Sequence, residues 1–399
     1  MKKIVFAALL LSLAAYGAGA KVKGKVLSGN RIEVTVDAPG TYTLVYEGTG
    51  AQRLADYAPI CALDASQLAS YEYFIDENVA PREAKAIGVY DSENKRVGAI
   101  KLAGMKSKSA KTPLYSFGVL TDVHYGVPKI DPENDFKGAL DFFASKGASM
   151  VVICGDISEK GKEADFKAYA EAVAQSKIPV HTTTGNHDCT KKGLDYDLWQ
   201  KYTGGRSLVF EESVEVGGKT DHFLFLGMKL WNFEQAYYDE HIDWLEKKLE
   251  EYKDERCYII THLFFPDRAG NLNGIYPPKN WLRGTQLEKL EDMCKKYHNS
   301  IWFSGHSHWE WALQKYQDRA NIQRDYVDGQ PASGWSVHVP GCGCPITSDG
   351  TTRENNPPAS EGAMIQVYKD HVVLVGVDLK NGKYLPIATY RLDTNIKKK

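Results

Sequence analysis

An α/β chain preceded by a small, mainly β N-terminal domain is the fold class that this sequence predicts, on three observations. From residue 114 onward, short apolar runs alternate with stretches of helical spacing, as β-α-β units require. Five of those runs are followed at once by a cluster of Asp, Asn or His. Upstream of residue 105 the pattern is short alternating runs broken by Pro39-Gly40 and Gly48, with no such cluster.

The N-terminus opens with Lys2-Lys3, an apolar run over 4–13 and the small residues Ala18-Gly19-Ala20. This is the pattern of a signal peptide over 1–20, so the protein is expected to be exported, periplasmic or secreted, with the mature chain starting near Lys21. The run is too short to favour a membrane span, no later apolar segment is longer, and no transmembrane segment is expected. Residues 21–105, with alternation at 31–36 and 42–46, read as a mainly β accessory domain, for which an immunoglobulin-type sandwich is one architecture. Residues 106–113, rich in Lys and Ser, read as a linker, and 114–394 as the second domain.

Within that second domain the elements follow in order. A strand over 114–120 leads to Asp122-Val123-His124, and a helix carries Phe136, Leu140 and Phe143 on one face. A strand over 150–153 leads to Gly155-Asp156, followed by a helix facing inward with Phe166, Tyr169, Ala170 and Val173. The next strand ends at Ile178-Pro179-Val180, ahead of Thr184-Gly185-Asn186-His187-Asp188, where glycine permits a sharp turn. A helix over 239–252 packs through Ile242, Leu245 and Leu249, with Trp244 beside that stripe. The strand over 257–260 delivers His262 after Thr261, a long loop spans 265–284, and the strand over 301–303 delivers Gly305-His306-Ser307-His308. Successive clusters lie about 30 residues apart, roughly one β-α-β unit, which brings them to one sheet edge. Period-two alternation would aim Asp122 with His124, and His306 with His308, at common points.

Composition restricts the classes. With 399 residues, 43% hydrophobic and 25% charged, the chain can bury a large core, and a net charge of -2 without a basic stripe argues against stable nucleic-acid binding. Seven cysteines leave at least one unpaired. Cys154 reads as a buried small hydrophobe, Cys342 and Cys344 are too close to pair with each other, and nothing marks Cys189 as a redox switch.

Taken singly, each cluster has a structural reading: a lone His262 would be a satisfied core histidine, Asp156 a helix cap, and Asn186-His187-Asp188 a hydrogen-bonded turn. Together they offer carboxylates, imidazoles and one amide without thiolate, a donor set for borderline or hard divalent ions. The ordered set resembles the calcineurin-like metallophosphoesterase superfamily, whose pattern runs D-x-H, G-D, G-N-H-[DE], H, G-H-x-H, and all five blocks match between residues 114 and 308. The resemblance implies a four-layer sandwich of two mixed β-sheets flanked by helices, completed by the β-rich tail. It implies two divalent metal ions, drawn from Mn, Fe, Zn or Ni. Asp122, His124 and His308 would hold one, Asn186, His262 and His306 the other, with Asp156 bridging and His187 as the catalytic histidine.

The implied chemistry is in-line attack of a metal-activated hydroxide on a phosphoester, with His187 assisting the leaving group. Glu159 stands three residues after Asp156, where the protein phosphatase branch places an aspartate that orients its histidine. Glu159 also replaces the tyrosine ligand of purple acid phosphatases, Thr184 replaces the arginine that precedes G-N-H-E in protein phosphatases, and Cys189 breaks the nucleotidase run N-H-E-F-D. The look is closest to bacterial cyclic-nucleotide-type phosphodiesterases, and export points away from intracellular cyclic nucleotides as the substrate. That leaves extracytoplasmic nucleotides, phospholipid head groups or wall polymers, and a phosphodiester is the expected substrate. The alternatives are a phosphomonoesterase of the same superfamily or an inactive exported binding protein on this scaffold. Trp309 and Trp311 either line the substrate rim or pack in the core, and His181, His222, His241, His298, His338 and His371 match no block.

Overall fold

The computed structural model describes residues 22–27, 31–36, 38, 40–65, 69–74, 84–102, 112–128, 131–190, 192–263, 265–266, 268–269, 282–312, 321–343 and 359–394. The expected signal peptide, most of the expected linker and most of the 265–284 loop lie outside these residues. The chain divides into two compact units, Met1–Ala110 and Lys111–Lys399.

The first unit contains β1 (Val22–Leu27), β2 (Arg31–Val36), β3 (Gly40–Glu47), β4 (Cys61–Ala65), β5 (Ala69–Phe74), β6 (Ala86–Tyr90) and β7 (Arg96–Lys101). They form two antiparallel sheets, in the orders β1-β2-β5 and β4-β3-β6-β7. Val34 and Val36 of the first pack with Leu44, Tyr46, Ile87, Val89 and Ile100 of the second, so burial of alternate residues makes a two-sheet sandwich.

The second unit alternates strands with helices. Its elements are β8 (Tyr115–Leu120), α1 (Pro132–Ser145), β9 (Val151–Ile153), α2 (Glu163–Ala174), β10 (Val180–Thr182), α3 (Tyr196–Tyr202), β11 (Val209–Val216), β12 (Lys219–Leu226), α4 (Asp239–Glu251), β13 (Arg256–Ile260), α5 (Thr285–Lys296) and β14 (Ser300–Ser304). The tail adds β15 (Ile322–Gln323), β16 (Tyr326–Val327), β17 (Gln330–Pro331), β18 (Trp335–His338), β19 (Glu361–Val367), β20 (His371–Asp378) and β21 (Lys383–Asp393). One mixed sheet runs β10-β9-β8-β19-β20-β21 and the other β11-β12-β13-β14-β18-β15. Parallel pairing among β8, β9 and β10, and among β12, β13, β14 and β18, points those strand ends the same way.

Three apolar layers separate four layers of structure. Phe117, Val152, Phe223, Tyr258, Phe303 and Ile365 fill the space between the two sheets. On the outer face of the first sheet, Phe136, Leu140, Phe143, Phe166 and Tyr169 of α1 and α2 meet Leu120, Val151 and Ile153. On the outer face of the second, Ile242, Leu245 and Leu249 of α4 and Leu290 and Met293 of α5 meet Leu224, Ile259 and Trp302. The helix-sheet-sheet-helix sandwich that the family resemblance implies is the observed architecture. α1 starts where Pro132 occupies the first turn and the Asp131 side chain accepts from the Asn134 N–H. The strand expected to end at Val180 instead begins there and runs to Thr182, because β10 pairs with β9 in the register Val180 to Val151.

Candidate metal centre

Every expected site residue lies just past the carboxyl end of a strand, but the strands do not aim them in the way period-two alternation suggests. Asp122, His124, Asp156, His306 and His308 lie beyond the last residues of β8, β9 and β14, in left-handed backbone conformation, with φ of 53°, 56°, 54°, 74° and 61°. The chain therefore curls at each donor instead of continuing extended. Non-glycine residues pay about 1–3 kcal/mol for such conformations, which persist where neighbouring structure dictates them. Here it does: the Asp122 N–H donates to the Gly155 carbonyl at 3.0 Å, the His124 N–H to the Asp156 carbonyl at 3.0 Å, and the His306 N–H to Asp122 Oδ2 at 3.0 Å.

Three block glycines are required for space. A Cβ at Gly155 would meet the backbone of Gly185. A Cβ at Gly185 would overlap Asp156 Oδ1, and one at Gly305 would overlap Thr121 Oγ1 and crowd Asp122. Gly185 does not have a positive φ, so close approach to Asp156, and not a sharp turn, explains it.

The two aspartates are built alike. Asp122 Oδ2 accepts from Thr121 Oγ1 at 2.7 Å and from the His306 N–H, while Oδ1 accepts no hydrogen bond and faces His308 Nε2 at 2.9 Å and His124 Nε2 at 3.6 Å. Asp156 Oδ1 accepts from the His187 N–H at 2.8 Å, while Oδ2 accepts none and faces His262 Nε2 at 3.1 Å and His124 Nε2 at 3.8 Å. Burial alone would raise the Asp122 carboxyl, but His308 and His124 outweigh it and hold it well below the usual carboxylate range. Asp156 follows the same rule, with burial overcome by His262 and His187.

His262 has its tautomer fixed from behind, because its Nδ1 donates to the Cys154 carbonyl at 2.8 Å. His124 Nδ1 lies 2.8 Å from Glu159 Oε2, and in both rings Nε2 faces the aspartates. Burial lowers the His262 pKa, yet the Asp156 carboxylate prevails and raises it to about 9, which shows how strongly this spot favours positive charge. Asp122, His124 and His308 offer ligand atoms within 4.8 Å of one another, and so do Asp156, His262 and His306. Asn186 Oδ1 joins the second group, 3.1 Å from His262 Nε2. Buried carboxylate oxygens without hydrogens, met by imidazole nitrogens, are what a pair of divalent cations requires.

His187 stands beside both groups. Its Nδ1 donates to the Glu159 carbonyl at 3.0 Å, and its ring lies 4.9 Å from that of His124. Burial lowers its pKa, while the Asp156 charge acts in the opposite direction. Glu159 touches both rings, with Oε2 3.4 Å from His187 Nδ1.

Several functional neighbours were not legible as such. The Asp188 carboxylate accepts from the N–H groups of Gly185 at 2.8 Å, Asp156 at 2.9 Å and Ser158 at 2.8 Å, tying the turns after β9 and β10 together. Burial and the Asp156 charge push its pKa up to about 7. His338, at the end of β18, contacts Ser307 Oγ at 2.8 Å through Nε2 and supports the turn between His306 and His308. The rim rings are Trp231, 4.6 Å from the His187 ring, and Phe233, 5.4 Å from the His306 ring. Trp309 and Trp311 are fully buried and belong to the core. Cys154, Cys189, Cys257, Cys294 and Cys342 are buried free thiols, and burial pushes the Cys189 thiol up, which keeps it unreactive.

With this geometry in view, the comparisons with known proteins are specific. Residues 115–310 match the family model for calcineurin-like phosphoesterases. This stretch is a calcineurin-like phosphoesterase domain. A dimetal phosphatase from Danio rerio superposes on this chain with a TM-score of 0.50 at 13% identity, over 71% of this chain and 100% of that one. GAP50, the anchor in the inner membrane complex of Plasmodium, does so at 0.50 and 12%, over 71% and 90%. At these identities the likeness is one of fold. A probable glycerophosphodiester phosphodiesterase of Arcobacter nitrofigilis is 25% identical over 125 residues, covering 28% of this chain and 41% of that protein's length. The Asp and His clusters carried by this domain fit two divalent ions. No described helix is long and apolar enough to cross a membrane.

Proposed function

We propose that this chain is an exported hydrolase of phosphodiesters, with Asp122, His124 and His308 holding one divalent ion, Asn186, His262 and His306 the other, and Asp156 between them. The observation that carries the assignment is the pair of buried aspartates, each with one oxygen anchored and the other open toward imidazole nitrogens. When bound, two such cations polarise a phosphoryl oxygen and lower the pKa of a water molecule.

The chain's own residues supply the rest. Glu159 and the Cys154 carbonyl orient His124 and His262, and Asp188 holds the turns that present Asp156 and Asn186. His187 has its Nδ1 proton committed to the Glu159 carbonyl, so Nε2 is the atom that can hold a proton near the departing oxygen. The diester reading draws on the partial relative named as a probable glycerophosphodiester phosphodiesterase and on Thr184 in place of a protein phosphatase arginine. Export rests on Lys2-Lys3, the apolar run and Ala18-Gly19-Ala20.

The test is metal analysis of the mature protein together with a panel of phosphodiesters and phosphomonoesters assayed with Mn, Fe, Zn, Ni and Mg. Two equivalents of metal and faster turnover of diesters are expected. Preference for monoesters would replace the diester reading, and full activity in a metal-free sample would remove the metal assignment. Cell fractionation tests export, and retention of an uncleaved chain in the cytoplasm would overturn it.

A further inference from the structure

The connection between β12 and α4 borders the site through two rings at opposite ends of the histidine cluster: Trp231 beside His187 and Phe233 beside His306. This loop is pinned. The Lys229 N–H donates to the Ala236 carbonyl at 2.8 Å, the Leu194 N–H to the Lys229 carbonyl at 3.0 Å, and the Arg283 N–H to the Phe233 carbonyl at 2.9 Å. Met228, Ala236 and Tyr237 are fully buried, yet the Trp231 indole between them is 40% exposed. Fixed backbone on both sides means that this exposure is built into the loop. What sets Trp231 apart from other exposed rings is its place: its ring stands 4.6 Å from that of His187, so an apolar face borders the proposed position of the departing group.

We infer that Trp231 is a specificity-determining platform for a flat ring on the departing alcohol, so that the preferred substrates are phosphodiesters with a nucleoside-type leaving group. The inference rests on the proposed place of His187 at the departing oxygen, since the group attached to that oxygen is then the part of the substrate that reaches the indole. In the reaction, water adds its oxygen to phosphorus, the bond from phosphorus to the ring-bearing alcohol breaks, and a proton passes to that alcohol. A phosphomonoester of the retained group is the second product. Indoles also attract quaternary ammonium groups. Glycerophosphocholine, which carries such a group and no flat ring, separates that ligand from a stacked base.

The experiment compares wild type, Trp231→Ala and Trp231→Phe on three diesters: a dinucleoside monophosphate, a bis-glyceryl phosphodiester and glycerophosphocholine. Stacking on one aromatic ring corresponds to roughly a 5- to 150-fold effect. Trp231→Ala is expected to lose that much kcat/KM on the dinucleoside, mainly through KM, and to stay within about twofold on the glyceryl diester. Trp231→Phe should recover part of the loss. Independently of turnover, titrating the metal-loaded protein with adenosine should give a saturable quench of indole fluorescence that Trp231→Phe lacks. Equal losses on all three diesters, a loss confined to glycerophosphocholine, or an identical quench in both proteins would overturn the platform. Failure of the wild type to cleave any diester would instead count against the parent reading of the site.

Discussion

His187 and His338 lie on the same edge of the domain and respond differently to their surroundings. His187 is held through Nδ1 and free at Nε2, so replacing it with glutamine should leave metal content unchanged while removing a proton donor. General acid catalysis contributes about 10² to 10⁴, and only when the departing oxygen is basic. The His187→Gln variant should therefore lose far more activity on alkyl diesters than on nitrophenyl esters, and kcat/KM on both with parallel metal analysis decides it. Equal losses at constant metal would make His187 a phosphoryl-charge or positioning group. His338 is fully buried, and burial drives its pKa down from 6.5 to about 3. A depressed pKa means that the folded state refuses a proton which the unfolded chain accepts, so this contribution is intact above about pH 6.5 and is lost as pH falls toward 3. His338→Gln should remove that dependence while keeping a partner for Ser307. Urea unfolding of both proteins at stepped pH should show the wild type losing up to about 1.4 kcal/mol more than the variant for each pH unit below about 6.

Turns, more than strands, build the centre. Asp188 gathers three backbone N–H groups from the turns after β9 and β10, and its loss leaves buried donors unmet at about 1–3 kcal/mol each. Asp188→Ala should lower both thermal stability and metal affinity, although it touches no proposed ligand atom, and calorimetric metal titration beside a melting curve would show whether the two fall together. The helices and parallel strands could be read in the sequence because Phe136, Leu140 and Phe143, or Ile242, Leu245 and Leu249, repeat at a helical period that tertiary packing then uses. The metal-type clusters were legible because their order is fixed by the sheet edge. The hairpin of β11 and β12 went unread, although Gly217-Gly218 joins them with φ of 61° and 75°, as a two-residue hairpin turn needs. The reason Asp122 and His124 converge was also misread, since alternation is a property of strands and these residues have left the strand. Trp231 carried no signal at all: its neighbours in space come from the 180s, and nothing local records that.

At the scale of the whole molecule, the two units should respond differently to metal. Cations that bind only the folded second unit stabilise it by mass action, about 2.7 kcal/mol when their concentration is a hundred times Kd. Chelation should therefore lower one calorimetric unfolding transition and leave the other, from the sandwich of β1 to β7, where it was. A single transition that moves as a whole would mean that the units unfold together. The closing strands β18 to β21 could be read only as a β-rich tail, since their sheet partners are up to hundreds of residues earlier. The left-handed turns have one further bearing, on drift. A histidine such as His306 at φ 74° occupies a conformation that glycine adopts freely. His306→Gly should abolish the second metal site and yet raise the melting temperature of the metal-free protein. If so, mutation alone would carry this chain toward a sturdier scaffold with no turnover, and only continued selection for hydrolysis would hold it where it is.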